Sequence, residues 1–217
     1  MKKAFKNHKA YIFASACAVA LCSIQPASAL IDDEVVVTGV RGLPRSVQDS
    51  PVPIDVFNEG DLEAVSYTDA NDILQTLVPS YTLSRQPISD GSTFIRPASL
   101  RGLPTDKTLV LVNSKRRHRA ALVSIGGSGT QGPDIATIPA VALKSVEVLR
   151  DGAAAQYGSD AIAGVINFIL KDSPDGITLT AQTGQYYEGD GFEYIFSGNA
   201  GFGLGDDGFV NISLEYS

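Results

Sequence analysis

The segment DGAAAQYGSDAIAGVINFILK, residues 151–171, decides the fold of this chain. It contains three glycines and two acidic residues, and no side chain typical of a catalytic base. Its last part, residues 165–170, is a dense apolar run with the length of a buried strand, so we predict a strand over residues 165–171. Such a composition is more typical of a segment with a fixed backbone conformation than of a catalytic site.

The residues that precede this segment predict one α+β domain of ordinary size. We expect helices over residues 59–65 and 69–77, the second beginning at a cap formed by Thr68 or Asp69. Residues 115–133 are polar and rich in glycine, and they predict a long loop. Short apolar runs bounded by turn-forming residues predict three further strands, over residues 53–57, 108–113 and 145–149.

From residue 176 onwards the pattern changes to long strands in which apolar and polar residues alternate. The alternation covers residues 177–182, 192–202 and 210–217, with the aromatic residues on the apolar side and Gly-Asp turns between the strands. It is typical of transmembrane β-hairpins, which have one face towards lipid and the other towards the lumen. A soluble antiparallel sheet alternates in the same way, so the pattern by itself leaves both interpretations open.

Residues 1–29 predict a cleavable export signal. Four lysines precede an apolar core over residues 11–21 that is too short to span a bilayer, and Ala-Ser-Ala at 27–29 resembles a cleavage site. Both cysteines lie in this segment, so we expect no disulfide or cysteine metal site in the mature chain. Removing the four lysines from 17 basic residues leaves 13 against 24 acidic residues, a balance that opposes nucleic-acid binding.

A series of short motifs follows the chain in a fixed order. The motifs are SPVPIDV (50–56), NDILQTLVP (71–79), LRGL (100–103), TLVLVNSKR (108–116), IP (138–139) with VEVLRDG (146–152), and the DG…YG…AI…GVIN pattern of residues 151–167. Together they resemble the plug domain of TonB-dependent outer-membrane receptors. The resemblance is continuous over residues 33–171, and the order of the motifs makes it specific although each motif is modest. One departure is Ser114, which stands where the family usually has glycine.

The resemblance implies an α+β plug domain over residues 51–171, which is a small mixed sheet with short helices. It implies that residues 30–50 form a flexible segment with a TonB box, and that residues 176–217 are the first antiparallel strands of a transmembrane β-barrel. Three strands cannot close a barrel, so we expect the functional protein to continue beyond Ser217.

The implied function is gated uptake of a scarce ligand, such as an iron chelate, cobalamin or a saccharide, with energy relayed by TonB. The implied partners are TonB with its inner-membrane energising proteins, outer-membrane lipid and a small-molecule ligand, and no nucleic acid. The implied location is the outer membrane of a Gram-negative bacterium, with the plug and the N-terminus facing the periplasm. We expect no enzymatic activity, metal or cofactor. The alternatives are a free-standing periplasmic plug-like binding module and a non-functional truncated fragment.

The segment DEVVVTG, residues 33–39, resembles a TonB box. Consecutive β-branched residues in a flexible tail can add as a strand to the edge of a partner's sheet. The alternative is an ordinary first strand of the domain. Its closeness to the predicted cleavage site leaves no room for an additional signalling domain, so we expect transport without that relay. The residues assigned to the box are Glu34, Val35, Val36, Val37 and Thr38.

Several residues of the plug motifs are predicted to have structural or gating roles. The resemblance places charged residues of this kind in ion pairs between plug and barrel, and an ordinary surface charge is the alternative. We expect the glycines to serve unusual backbone conformations or close approach rather than binding. The set comprises the charged residues Arg101, Glu147, Arg150 and Asp151, the glycines Gly102, Gly152, Gly158 and Gly164, and the polar residues Tyr157 and Asn167.

A basic cluster, Arg116, Arg117, His118 and Arg119, opens the predicted loop. In a plug this loop is a candidate to face the arriving ligand, and its charge would attract an anion. The alternative is a solvated loop whose charges do nothing specific. The later run GSGTQG, residues 127–132, matches a dinucleotide-binding pattern only formally, since no strand directly precedes it and no βαβ unit surrounds it.

Overall fold

The structure is a computed structural model that describes eight ranges of the chain: residues 35–36, 45–47, 53–65, 69–83, 93–124, 129–150, 153–205 and 208–217. The predicted export signal, Glu34, Val37, Thr38, Asp151 and Gly152 lie outside the described residues. No helix in the described ranges is long and apolar enough to cross a membrane.

In these ranges the chain forms ten strands and three α-helices, with short 3-10 turns between them. The strands are β1 (Val35–Val36), β2 (Arg45–Ser46), β3 (Ile54–Asn58), β4 (Thr108–Val112), β5 (Lys115–Arg116), β6 (Leu143–Leu149), β7 (Gly164–Leu170), β8 (Gly176–Gly184), β9 (Glu193–Leu204) and β10 (Gly208–Tyr216). The helices are α1 (Glu59–Ala64), α2 (Ala70–Leu77) and α3 (Ala154–Tyr157).

Five strands form a mixed sheet in the order β3-β6-β7-β4-β5. Strands β4 and β7 are parallel, and the other neighbouring pairs are antiparallel. Val146 and Phe168 point to a core that includes residues of α1 and α2, whereas Leu149 and Val165 belong to a second core with Ala161. Because both faces are covered, β7 is apolar along most of its length, which explains the dense apolar run of the sequence.

The two predicted helices of the plug region are confirmed, and each has a capped N-terminus. Asn58 accepts a hydrogen bond from the Asp61 N–H at 3.2 Å, and the Asp61 carboxylate accepts one from the Asn58 N–H at 3.1 Å. This reciprocal pair stabilises the first turn of α1. Asp69, one of the two expected caps, accepts from the Asn71 N–H at 2.8 Å at the start of α2.

Three local features of this domain differ from the prediction. The predicted loop begins with a two-residue strand, β5, which pairs with the end of β4. Strand β6 begins at Leu143, two residues before the expected start, and a register irregularity follows between Leu143 and Ser145. Helix α3 is a single turn that ends at Gly158, where φ is +90°. A single turn and a two-residue strand are too short to produce a periodic pattern in sequence.

Strands β8, β9 and β10 form a separate antiparallel sheet with β9 in the centre. The predicted alternation is confirmed, because Leu179 and Phe196 lie on an exposed face while Asn199, only 7% exposed, lies on the opposite face. Asn199 donates to Asn211 and, at 2.7 Å, to Ser213, so the polar face has its own cross-strand hydrogen bonds.

Candidate functional site

A buried polar pair crosses the middle of the plug sheet. Glu147 of β6 lies opposite Asn167 of β7, and their side chains are 3% and 0% exposed. Asn167 donates to the Glu147 carboxylate at 3.3 Å and accepts from the Ser114 N–H at 3.0 Å. Buried polar groups are costly unless they are paired, so this network fixes the Asn167 amide in one orientation.

The Asn167 amide also holds the turn between β4 and β5. Asn113 and Ser114 both have positive φ, +47° and +63°, as the two central residues of a tight hairpin turn require. The Ser114 N–H donates to the side-chain oxygen of Asn167 at 3.0 Å. The Asn113 side chain accepts from the Leu170 N–H at 2.9 Å. The turn is thereby attached to β7 at two points despite the absence of glycine.

Arg150 pairs within the plug sheet. Its Nη2 lies 2.6 Å from Oδ1 of Asp55 in β3, and its backbone N–H donates to the Pro53 carbonyl at 3.4 Å. Among the described residues, the partner of Arg150 is therefore a plug carboxylate rather than a residue of the second sheet. The buried Nε–H of Arg150 has no hydrogen-bond partner in this part of the chain.

A tight corner is formed at Arg101 and Gly102, where φ is +56° and +67°. The Arg101 guanidinium donates to the Ile162 carbonyl at 3.0 Å and its N–H donates to the Ser80 carbonyl at 2.7 Å. Two successive residues with positive φ reverse the chain and join the corner to two distant segments. Gly102 thus adopts the left-handed conformation that favours glycine.

The glycines of the DG…YG…GVIN segment have backbone roles as well. Gly158 ends α3 with φ of +90°, and Gly164 begins β7 with φ of +143°. A Cβ on Gly164 would lie 2.5 Å from the Leu149 carbonyl oxygen and 2.8 Å from Leu100 Cδ1. A side chain at this position would therefore overlap the end of β6, so glycine allows the close approach of β6 and β7.

The basic cluster surrounds one carboxylate, that of Asp160. Arg116 Nη1 lies 2.8 Å from Asp160 Oδ2, and Arg119 Nη2 lies 3.0 Å from Asp160 Oδ1. Arg116 also donates to the carbonyl of Tyr157, whose side chain packs against the second core. Sequence reasoning assigned these arginines to one site but missed Asp160, which lies in the 151–171 segment.

This cluster lines an open cleft of about 270 Å³. Arg117 donates to the Thr137 hydroxyl at 2.8 Å, and His118 is exposed. Besides Arg116 to Arg119 and Asp160, the walls include Thr105, Thr108 and Gln131. The lining holds three guanidinium groups against two carboxylates, those of Asp160 and Asp106, so an excess of positive charge remains and the cleft can attract an anion.

A second cleft, of about 380 Å³, lies between the plug and the three-stranded sheet. The plug contributes Glu59 and Leu143, and the sheet contributes the polar side chains of Thr178, Thr180 and Ser197. Within its lining, Lys171 Nζ lies 2.6 Å from Glu59 Oε1. Sequence reasoning missed this cleft because it depends on how two distant segments pack.

The residues between the two sheets form a second ion pair with the plug. Lys144 Nζ lies 2.8 Å from Asp172 Oδ1, and the hydrogen bond from Lys144 lowers the pKa of the Asp172 carboxyl. The Lys171 N–H donates to the Ala142 carbonyl at 2.9 Å. The connection to β8 therefore leaves the plug at a fixed point.

A partly buried network joins α2 to two loops. Arg96 forms an ion pair with Asp69, and its N–H donates to the Asp134 carboxylate at 3.1 Å. Asn71 donates to Asp69 at 3.0 Å and accepts from the Tyr81 hydroxyl at 2.8 Å. Burial, with the nearby carboxylates, raises the pKa of Tyr81 above its ordinary value, so the phenol stays protonated and keeps donating.

A profile of the family described as TonB-dependent Receptor Plug Domain matches residues 46–165, which is more than half of the chain. This chain belongs to the TonB-dependent receptor plug domain family. The recognition made from the sequence is thus confirmed, as is the fold class of a mixed sheet with short helices followed by antiparallel strands.

Similar proteins include outer-membrane receptors and transporters. The iron-regulated outer membrane virulence protein of Vibrio cholerae is 34% identical over 140 residues, covering 64% of this chain and 20% of that protein. The vitamin B12 transporter of Photobacterium profundum is 29% identical over 184 residues, covering 85% and 28%. The crystal structure of the siderophore receptor PirA from Acinetobacter baumannii has a TM-score of 0.59 and 27% identity, covering 78% and 25%. The chain thus spans between a fifth and about three tenths of the length of these relatives.

Proposed function

We propose that this protein carries out TonB-dependent uptake of a scarce small-molecule ligand across the outer membrane of a Gram-negative bacterium. Residues 51–171 act as the plug and residues 176–217 as strands of the surrounding barrel. Residues 1–29 direct export, and the plug and N-terminus face the periplasm. No catalytic step or cofactor is needed, in agreement with relatives that are named as receptors and transporters.

One observation carries this proposal: the polar face of the three-stranded sheet is turned towards the plug. Thr178, Thr180 and Ser197 line the cleft on the plug side, whereas Leu179 and Phe196 are 81% and 56% exposed on the other side. A soluble antiparallel sheet would pack its apolar face on the core instead. An apolar outer face and a polar inner face are what a strand between lipid and lumen requires.

Spin labels at two adjacent positions test this arrangement. In the receptor expressed from its complete gene and reconstituted in lipid vesicles, a label at Leu179→Cys should collide often with dissolved oxygen. A label at Thr180→Cys should collide more often with a water-soluble nickel chelate, because neighbouring residues of a strand point to opposite faces. Equal accessibility at both positions, or the reverse order, would exclude the membrane-spanning assignment.

The plug residues have three roles in this function. The cleft at Arg116 to Arg119 is the candidate ligand-facing surface, and its positive charge favours anionic groups on the ligand. The Nε–H of Arg150 is a donor left for a carboxylate of the barrel wall, since its Nη2 is already bonded to Asp55. Glu147, Asn167 and the glycines maintain the shape of the plug that gating changes. The ligand itself is an iron chelate, cobalamin or a saccharide.

Residues 34–38 are the segment that TonB grips, with energy supplied by its inner-membrane partners. Val36→Pro removes a backbone donor and should weaken binding of the purified periplasmic domain of TonB at least about tenfold, because strand addition depends on backbone hydrogen bonds. Val36→Thr keeps the N–H and the β-branched side chain, so its affinity should remain close to that of the unmodified receptor. Equal affinities for the two variants, measured by titration calorimetry, would exclude this segment as the TonB box.

A further inference from the structure

The carboxylate of Asp160 is shared by two guanidinium groups of the basic cleft. Its Oδ2 lies 2.8 Å from Nη1 of Arg116, and its Oδ1 lies 3.0 Å from Nη2 of Arg119. Arginines that face both oxygens of an acidic group are a common way for proteins to recognise the carboxylate or phosphate of a ligand. The cleft therefore contains a formed oxyanion site, and a side chain of the chain itself occupies it.

The contacts that hold Asp160 in this site are weak enough to be exchanged. The side chains of Arg116 and Arg119 are each 50% exposed, and that of Asp160 is 33% exposed. Water screens ion pairs at such exposure, so each pair contributes little to stability. The three side chains line an open cleft of about 270 Å³, so an oxyanion arriving from solvent can reach both guanidinium groups.

The turn that carries Asp160 is anchored independently of the Asp160 carboxylate. Asp160 lies in the 3-10 turn Ser159–Ala161, and Ala161 is fully buried in the second core. Arg116 has a second contact as well, because it donates to the Tyr157 carbonyl in addition to Asp160. The loss of the contact between Asp160 and the arginines would therefore leave both the turn and Arg116 in place.

We propose that Asp160 is an internal competitor for this oxyanion site, and that a carboxylate or phosphate group of the ligand replaces it at Arg116 and Arg119. This inference rests on the proposed function, because it takes the cleft as ligand-facing. It makes Asp160 a specificity-determining residue, since a ligand group that engages only one arginine does not displace it. If Asp160 occupies the site about nine times in ten, the apparent Kd for an oxyanion is about tenfold higher than that of the vacant site.

Three single variants separate the Asp160 carboxylate from the net charge of the receptor. Asp160→Asn keeps the size of the side chain and removes its charge, so the oxyanion site becomes vacant. Asp160→Glu keeps the carboxylate. Asp175→Asn removes the same charge from a residue that does not line the basic cleft. Each variant is made in the receptor expressed from its complete gene and purified in detergent.

Titration calorimetry at low salt measures the competition, with citrate as the carboxylate probe and inorganic phosphate as the phosphate probe. Asp160→Asn should bind at least one probe about tenfold more tightly than the unmodified receptor, whereas Asp160→Glu and Asp175→Asn should stay within about twofold of it. The probe with the larger gain indicates which oxyanion the site prefers. Adding Arg119→Gln to Asp160→Asn should abolish the gain, because one of the two guanidinium groups is then lost.

Two results would overturn the competition while leaving the cleft as the ligand-facing surface. They are equal or weaker binding of both probes by Asp160→Asn relative to the unmodified receptor, and an equal gain in Asp175→Asn, which would show that net charge alone sets the affinity. If neither probe binds to any variant, the inference and the ligand-facing role of the cleft fail together. The spin-label measurement at Leu179 and Thr180 still decides the membrane-spanning assignment separately.

Discussion

In both larger sheets of this receptor successive side chains point to opposite faces, but the two sheets turn different kinds of side chain inwards. In the plug sheet, Val165 and Phe168 lie on opposite faces, and both are fully buried. In the three-stranded sheet, Asn199 is turned inwards and Leu214 is 72% exposed. The strand geometry is therefore the same in both regions, but the neighbour of each face determines whether apolar or polar side chains form the interior.

This difference implies that the two regions are stabilised in different ways. The plug depends on close packing of apolar side chains on both faces of its sheet, as soluble domains do. The three-stranded sheet depends on its backbone ladder and on the lipid that we propose for its apolar face. Substitutions that remove apolar volume should accordingly act strongly in the plug and weakly in the outer sheet.

A Phe→Ala substitution made in each sheet gives the largest expected difference in plug stability. Phe168→Ala removes a side chain that is 0% exposed and should reduce the stability of the plug by about 3–5 kcal/mol, because it leaves a cavity between β7 and the helices. Phe196→Ala removes a 56% exposed ring and should change plug stability by less than about 0.5 kcal/mol. The measurement is native-state hydrogen exchange of β7 in the purified receptor. Comparable losses would mean that the outer sheet contributes to the core of the plug.

The glycines that begin β7 and β8 allow the two sheets to be compared by the stability cost of a Gly→Ala substitution. Gly164 has φ of +143° and no room for a Cβ, whereas Gly176 has φ of +115° and no atom within 4 Å of the position. Gly164→Ala should therefore cost about 2–4 kcal/mol, from backbone strain and overlap together. Gly176→Ala should cost about 1 kcal/mol, from strain alone. Urea unfolding of both variants tests the ranking, and equal midpoints would show that β6 moves to accommodate the methyl group.

The elements found from the sequence are those with a strong local signal. Strand β7 follows from its apolar run, and helix α2 from a cap at Asp69 and a stop before Pro79. Strand β5 and helix α3 were missed because elements of two and four residues are set by their neighbours rather than by periodicity. The positive φ of Ser114 was missed for a similar reason, since that conformation is held by a hydrogen bond from the Ser114 N–H to the side-chain oxygen of the distant Asn167.

The candidate site was predicted only in part. The resemblance to known plugs identified Arg116 and Arg150, but the charges that pair with them, Asp160 and Asp55, were not foreseen. These partners are 44 and 95 residues away in sequence, and no local pattern encodes such a distance. The ion pair of Arg96 with Asp69, 27 residues away, was missed on the same ground.

Removing the ion pair between Lys144 and Asp172, at the junction of the two sheets, should have the smallest effect on stability. Lys144 lowers the pKa of Asp172 in the folded protein, so its contribution is present above the unfolded pKa of about 3.8 and is lost as pH falls through the lower folded value. Both side chains are more than half exposed, at 52% and 57%, so solvent screening keeps the contribution below about 1 kcal/mol at neutral pH.

Asp172→Asn should therefore lower the unfolding midpoint slightly at pH 7, and this effect should shrink as pH falls below about 3.8 and through the lowered pKa of the folded carboxyl. The difference at pH 7 should shrink in 1 M salt, because exposed ion pairs are screened. Asp175→Asn, in the same connection but in no ion pair among the described residues, is the matched control and should leave the midpoint unchanged. If the two variants are equally stable at every pH, the contact between Lys144 and Asp172 does not stabilise the junction of the two sheets.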